Sequence, residues 1–186
     1  PKIQWRLGAV YDIPLGEKLK VTLTGYGEVD NLLLESLASG QKVLVLDLFC
    51  QRQQTVDELD RRHAPGDLPF LFDHHESTFE RYGNRPWAVV DTSRCAAAVY
   101  HRWLLGQDLP GPVRQRVEKM AGIVEMANDR DLWLGQEPDS RLWQALVTLC
   151  GPWGTLMRLA GNPDAALTGP ERATAERFVK AQEERF

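Results

Sequence analysis

The sequence predicts an α/β fold with a doubly wound, mostly parallel sheet and crossover helices, followed by a helical C-terminal part. Three observations carry that reading. Short apolar runs, Lys42-Val43-Leu44-Val45-Leu46-Asp47, Phe70-Leu71-Phe72-Asp73 and Trp87-Ala88-Val89-Val90-Asp91, each close on an acid. Helical patterns lie between them, which is the alternation of parallel strands joined by crossovers. From Pro110 onward no strand-like run occurs and every segment has helical spacing.

Taken in order, Pro1 to Gly8 reads as the second half of a helix and Ile13-Pro14-Leu15-Gly16 as a break. Leu19 to Thr24 alternates as a strand, with Gly25-Tyr26-Gly27 as its exit turn. Asp30 is placed to cap a helix that carries Leu32, Leu33, Leu34 and Leu37 and ends at Gly40. After the strand ending in Asp47, a polar helix starts near Thr55. Val56 and Leu59 share one of its faces, and Asp57-Glu58 lie in the first turn, where the helix dipole favours acids. Pro65-Gly66 ends it before the strand that closes on Asp73. Beyond Asp91, Thr92 and Ser93 can cap a helix with Ala96, Ala97, Val99, Tyr100, Trp103 and Leu104.

In the C-terminal part, Val113, Val117, Met120, Ile123, Val124 and Ala127 mark one helix face that begins at Pro112, a favoured first-turn residue. Leu142, Leu146 and Leu149 make another helix, up to Gly151-Pro152. Leu156, Met157 and Leu159 make a short piece that ends at Gly161-Asn162-Pro163. Residues 170–186 form a last helix with few apolar positions among many charges.

A chain of 186 residues is long enough to bury a core, and 43% hydrophobic with 26% charged residues is ordinary for a globular protein. A formal charge of −4 argues against electrostatic capture of long duplex nucleic acid, which needs a basic stripe to displace counterions. A polyanionic substrate must therefore be met locally. Cys50, Cys95 and Cys150 fit no zinc spacing and read as reduced thiols. No apolar run approaches the roughly 20 residues of a membrane span, and Pro1 to Gly8 does not read as a signal peptide, so the expected location is cytoplasmic.

The chemistry concentrates at Asp73-His74-His75. A strand-end Asp is often only the cap of the next helix, but two adjacent histidines after an acid have no such ordinary explanation. The crevice outside the carboxyl ends of parallel strands is where ligands bind. With Asp47, Asp129 and Asp131 the candidate ligands are carboxylates and imidazoles without thiolate, a set that suits Mn²⁺ or Mg²⁺. Asp131, beside Leu132 and Trp133, is placed to bond local backbone N–H groups as a turn residue.

At these positions the chain resembles the DHH phosphoesterase superfamily, which includes RecJ-type exonucleases, nanoRNA and oligoribonuclease-type phosphodiesterases, cyclic-dinucleotide hydrolases and family II inorganic pyrophosphatases. The strand ending at Asp47 is similar to that family's second motif, and Asp73-His74-His75 to its third. Val90-Asp91-Thr92-Ser93 is similar to the serine-bearing segment, and Asp129-Arg130-Asp131-Leu132-Trp133 to the fourth motif. The resemblance implies that Asp47, His74 and Asp129 hold Mn²⁺, two ions in an intact site, with Mg²⁺ as the other candidate. It makes His75, supported by Asp73, the catalytic group facing the phosphate, and puts Ser93, Arg94 and Arg130 near the substrate.

The family's first motif, a His-x-Asp-x-Asp-Gly-like segment, is not found. Tyr26-Gly27-Glu28-Val29-Asp30-Asn31 has acids at a similar spacing but lacks the histidine. The expectation is that the motif lies upstream of Pro1, that residues 1–169 are the phosphoesterase domain, and that 170–186 are a helical linker toward a second, substrate-binding domain. The implied activity is two-metal hydrolysis of short oligonucleotides or related small phosphoesters. The alternatives are a non-catalytic nucleotide-binding or scaffolding module of the same fold, and an inorganic pyrophosphatase.

Overall fold

The three strands that end in acids lie side by side. In a computed structural model, which describes residues 11–14 and 20–184, β3 (Val45–Leu46), β4 (Leu71–Asp73) and β5 (Ala88–Val90) form a parallel sheet in the order β3-β4-β5. The crossovers are α2 (Gln53–Arg62) and α3 (Glu76–Tyr82). Leu46 stands opposite Phe72, and Asp73 opposite Val90. Leu71, Phe72 and Asp73 of the central strand are fully buried, as expected of a parallel strand covered on both faces. The α/β class and the parallel pairing are therefore as the alternation of patterns requires.

These strands belong to the first of two compact units, 1–96 and 97–186. The first unit also contains an antiparallel pair, β1 (Tyr11–Pro14) with β2 (Lys20–Leu23), and the helix α1 (Val29–Ala38). Ile13-Pro14, expected as a break, instead ends β1. A strand end is one of the places where a residue without an N–H is tolerated. The core joins Val29 and Leu33 of α1, Val56 and Leu59 of α2, and Leu71 of β4 to Phe49, Tyr82 and Trp87. Phe49 lies edge-on to Tyr82 at 4.6 Å and 5.1 Å from Trp87, and the Trp87 indole donates to Asp60 at 2.7 Å. This aromatic cluster anchors the loop that leaves β3.

Asp30 corrects one expectation. It lies inside α1, where Glu28 holds the cap position, and it is 2% exposed. Its carboxylate accepts from Gln51 N–H, Arg52 N–H and the Thr55 hydroxyl, so it caps α2 from a distance rather than its own helix.

The second unit is helical: α4 (Ala96–Leu105), α5 (Gly111–Lys119), α6 (Ala121–Asp131), α7 (Ser140–Gly161) and α8 (Gly169–Glu183). The single helix expected from Pro112 is two, because the backbone at Met120 (φ −78°, ψ −7°) ends α5 and starts α6 while the apolar spacing runs on across it. The break expected at Gly151-Pro152 is a kink within α7. Gly151 there adopts φ 68° and ψ 177°, a conformation open to glycine. α8 opens on a capping box of Thr168 and Glu171 and packs along α7. Arg141–Glu183 at 2.7 Å, Arg158–Glu171 at 3.1 Å and Arg172–Asp139 tie it down. The reading of Pro1 to Gly8 lies outside the described residues. Among those described, no helix is long and apolar enough to cross a membrane.

Candidate metal centre

The β3–β4 ladder sets the geometry at the sheet's carboxyl edge. Asp47 N–H donates to Phe72 C=O at 3.1 Å, one residue beyond the last β3 pair, so the chain turns directly beside Asp73. Asp47 makes that turn at φ 63°. A left-handed conformation is strained for most residues, of order 1 kcal/mol, though Asp tolerates it better than most. Strain at a strand-end acid is a common mark of a site.

Asp47, Asp73, His74 and His75 each offer a ligand atom, all within 4.8 Å of one another. His74 Nε2 lies 3.1 Å from Asp47 Oδ1, and His75 Nδ1 lies 2.7 Å from Asp73 Oδ1. The same Asp73 oxygen accepts His74 N–H at 2.8 Å. An ionised carboxylate only accepts, so it takes Nδ1–H from His75 and leaves Nε2 for a ligand. The two imidazoles lie 4.5 Å apart.

Asp73 is fully buried, yet its Oδ2 has no hydrogen-bond partner. A buried polar atom in that state costs about 1–3 kcal/mol, and a bound cation would satisfy it. Ligand atoms across an ion at about 2.1 Å stand about 4.2 Å apart, so the group needs to close by only a few tenths of an ångström around one ion. The donor set and the orphaned oxygen fit a hard divalent cation.

The other expected residues are placed as follows. Asp91 N–H donates to Asp73 C=O at 3.2 Å, which puts the loop after β5 on the same rim. Asp91 Oδ1 accepts both Ser93 N–H at 3.0 Å and the Ser93 hydroxyl at 2.6 Å, an Asx turn that also carries Arg94. Arg130 and Asp129 belong to the second unit. The Arg130 guanidinium stacks on the exposed Trp133 ring at 3.9 Å, and Trp133 is itself left-handed at φ 56°.

Asp129 is 3% exposed. Its Oδ1 accepts Gln136 N–H at 2.5 Å and Glu137 N–H at 3.1 Å, and its Oδ2 accepts the Ser140 hydroxyl at 2.6 Å. Asp129 therefore bonds the turn that leads into α7. The Ser140 hydroxyl, those two backbone N–H groups and the nearby Arg130 charge hold the Asp129 carboxyl below the usual carboxylate range.

Sequence reasoning passed over Tyr26, which lies in the turn after β2. Tyr26 is half exposed, and partial burial, then the negative charges of Asp73 and Asp47, raise its phenol pKa. Cys50 is buried and its thiol is pushed up to about 12, first by burial and then by Asp30. At pH 8, iodoacetamide is expected to modify the exposed Cys150 quickly and to spare Cys50 and Cys95 until the protein is unfolded. Peptide mass spectrometry of labelled protein checks this, and rapid native labelling of Cys50 would contradict it.

Comparison with protein-family models, with curated proteins and with solved structures finds no match for the chain.

Proposed function

We propose that the chain is a metal-dependent phosphoesterase of the DHH type, acting on short oligonucleotides or related small phosphoesters. The observation that supports it is the convergence of two acids and two histidines within 4.8 Å at the ends of parallel strands, one of the acids having a buried carboxylate oxygen without a partner. Asp47, Asp73 and His74 are the proposed ligands. Asp129, which the resemblance makes a further ligand, lies in the second unit, where its carboxylate accepts from Gln136, Glu137 and Ser140. The three strands and their crossovers are taken as part of a doubly wound sheet.

A Mn²⁺ or Mg²⁺ ion held by Asp47, Asp73 and His74 would supply positive charge toward a phosphate and would make water more acidic there. The chain's own residues supply the rest. Asp73 fixes the His75 tautomer through Nδ1, and His75, 40% exposed, exchanges a proton with solvent or the leaving oxygen at Nε2. An overall negative chain can thereby hold a polyanion at one point.

The test is isothermal calorimetry with Mn²⁺, together with hydrolysis of a short oligonucleotide and of pyrophosphate. The expected result is one binding event that is lost in Asp47→Asn, and Mn²⁺-dependent cleavage of the oligonucleotide. Metal binding with no turnover of either substrate would overturn the enzyme reading in favour of a nucleotide-binding module. Turnover of pyrophosphate alone would replace the proposed substrate.

A further inference from the structure

The turn between α6 and α7 holds a tryptophan out in water. Trp133 is 74% exposed, the highest value of any large apolar side chain among the described residues, whereas Trp87 and Trp143 are buried. Its backbone is left-handed, a conformation that strains a bulky residue. The turn is nonetheless fixed. Leu132 N–H donates to Asn128 C=O at 3.1 Å and Leu134 N–H to Asp129 C=O at 3.0 Å, and the Asp129 carboxylate gathers the Gln136 and Glu137 N–H groups beyond. A clamped turn thus presents an indole to solvent.

One face of the ring is already taken, by the Arg130 guanidinium 3.9 Å from its centroid. With so much of the residue exposed, the opposite face is the open one. Arg130 Nε is buried without a hydrogen-bond partner, and among the described residues Arg130 forms no ion pair. Its charge acts on Asp129, but the oxygens of that carboxylate already accept from Gln136, Glu137 and Ser140.

This arrangement selects a class of ligand. A cation held against one face of an indole uses the attraction that the ring offers to positive charge, so a second cation on the other face is disfavoured. A protein partner is disfavoured by area. The apolar surface of the turn is Trp133 and Leu134, between exposed Asp131 and exposed Gly135-Gln136. Two side chains supply a small part of the about 800 Å² that a stable interface covers on each partner. A flat, uncharged aromatic ring fits the open face, and an anionic group on the same molecule fits the unpaired guanidinium. A nucleotide carries both.

We infer that Trp133 and Arg130 form a nucleotide-stacking site in the second unit, with the base on the open face of the indole and the phosphate, which stands outside the stacked ring, at the guanidinium. The inference needs neither a metal ion nor turnover, so it does not rest on the proposed phosphoesterase reading.

The test is a set of ¹H–¹⁵N NMR titrations of the full chain with AMP, adenosine and ribose 5-phosphate, in EDTA. AMP is expected to shift the Trp133 indole N–H, assigned by its loss in Trp133→Leu, together with the amides of residues 132–135. Adenosine should shift the same signals with several-fold weaker affinity, and ribose 5-phosphate, which has no base, should bind at least tenfold more weakly than AMP. Trp133→Leu should lower AMP affinity about tenfold, the loss expected for one stacked base, and Trp133→Phe should lower it less because a ring remains. Arg130→Gln should bring AMP to the affinity of adenosine. Shifts confined to other regions, an unchanged AMP affinity in folded Trp133→Leu, or ribose 5-phosphate binding as tightly as AMP would overturn the site. A Trp133 indole signal that moves with protein concentration alone would also overturn it, by seating a second copy of the chain on the ring. Cleavage of an oligonucleotide in Mn²⁺ without any AMP response at Trp133 overturns this inference and leaves the phosphoesterase reading standing.

Discussion

Asp73→Asn is expected to abolish the thermal stabilisation that Mn²⁺ confers. The reasoning starts from the two oxygens of a side chain that is fully buried. Oδ1 is used twice, by the His74 N–H and the His75 ring, and an Asn oxygen can serve both. Oδ2 has no partner, so in the metal-free parent the side chain is incompletely satisfied. Asn keeps the side chain's size but puts an amide N–H₂, which cannot ligate a cation, in the place of one oxygen, whereas a bound cation satisfies Oδ2 in the parent. Ion at 100 times its Kd adds about 2.7 kcal/mol. At about 2–4 °C per kcal/mol for a chain of this length, the parental melting temperature should rise by about 5–10 °C. Asp73→Asn should show no rise. Scanning calorimetry with Mn²⁺ and with EDTA reads both quantities, and an undiminished Mn²⁺ shift in the variant would remove Asp73 from the ligand set.

The part of this site that was legible in the sequence is the part encoded by chain continuity. An apolar run that stops at an acid fixes a strand and places the acid at its end, and parallel pairing then puts Asp47 and Asp73 on one rim. Strand polarity and register alone bring His74 within 3.1 Å of Asp47. What could not be read is whatever depends on partners distant in sequence. Asp30 looks like a local cap because acids at helix starts usually are, but its donors come from Gln51, Arg52 and Thr55. α3 has no apolar stripe to announce it, since only Thr78 and Tyr82 are buried. The break at Met120 is invisible because apolar positions continue in phase on both sides of it.

The choice between Asp129 and Asp131 shows the same limit and leads to the other large effect. The two acids are a residue apart at the end of α6, and local pattern gives the turn-bonding role to either. The structure gives it to Asp129, which gathers the Gln136 and Glu137 amides and the Ser140 hydroxyl at the entry to α7, while Asp131 is exposed. Asp129→Ala leaves three donors without their acceptor, one of them on the buried Ser140, and removes an anion close to the start of α7, where the helix dipole favours negative charge. The melting temperature should fall by on the order of 5 °C or more, and Asp131→Ala should lower it by less.

The pH dependence has a definite sign. The folded-state pKa of Asp129 is depressed, so its contribution is complete above the unfolded carboxylate value, near ~3.9, and is lost as pH falls through the lower folded value. The difference in melting temperature between parent and Asp129→Ala should therefore be steady from pH 7 to about 5 and shrink below about pH 4. Thermal melts of both variants across that range decide the matter. An Asp129→Ala protein as stable as the parent at pH 7, beside a strongly destabilised Asp131→Ala, would return the turn to Asp131 and free Asp129 for the metal role that the resemblance implies.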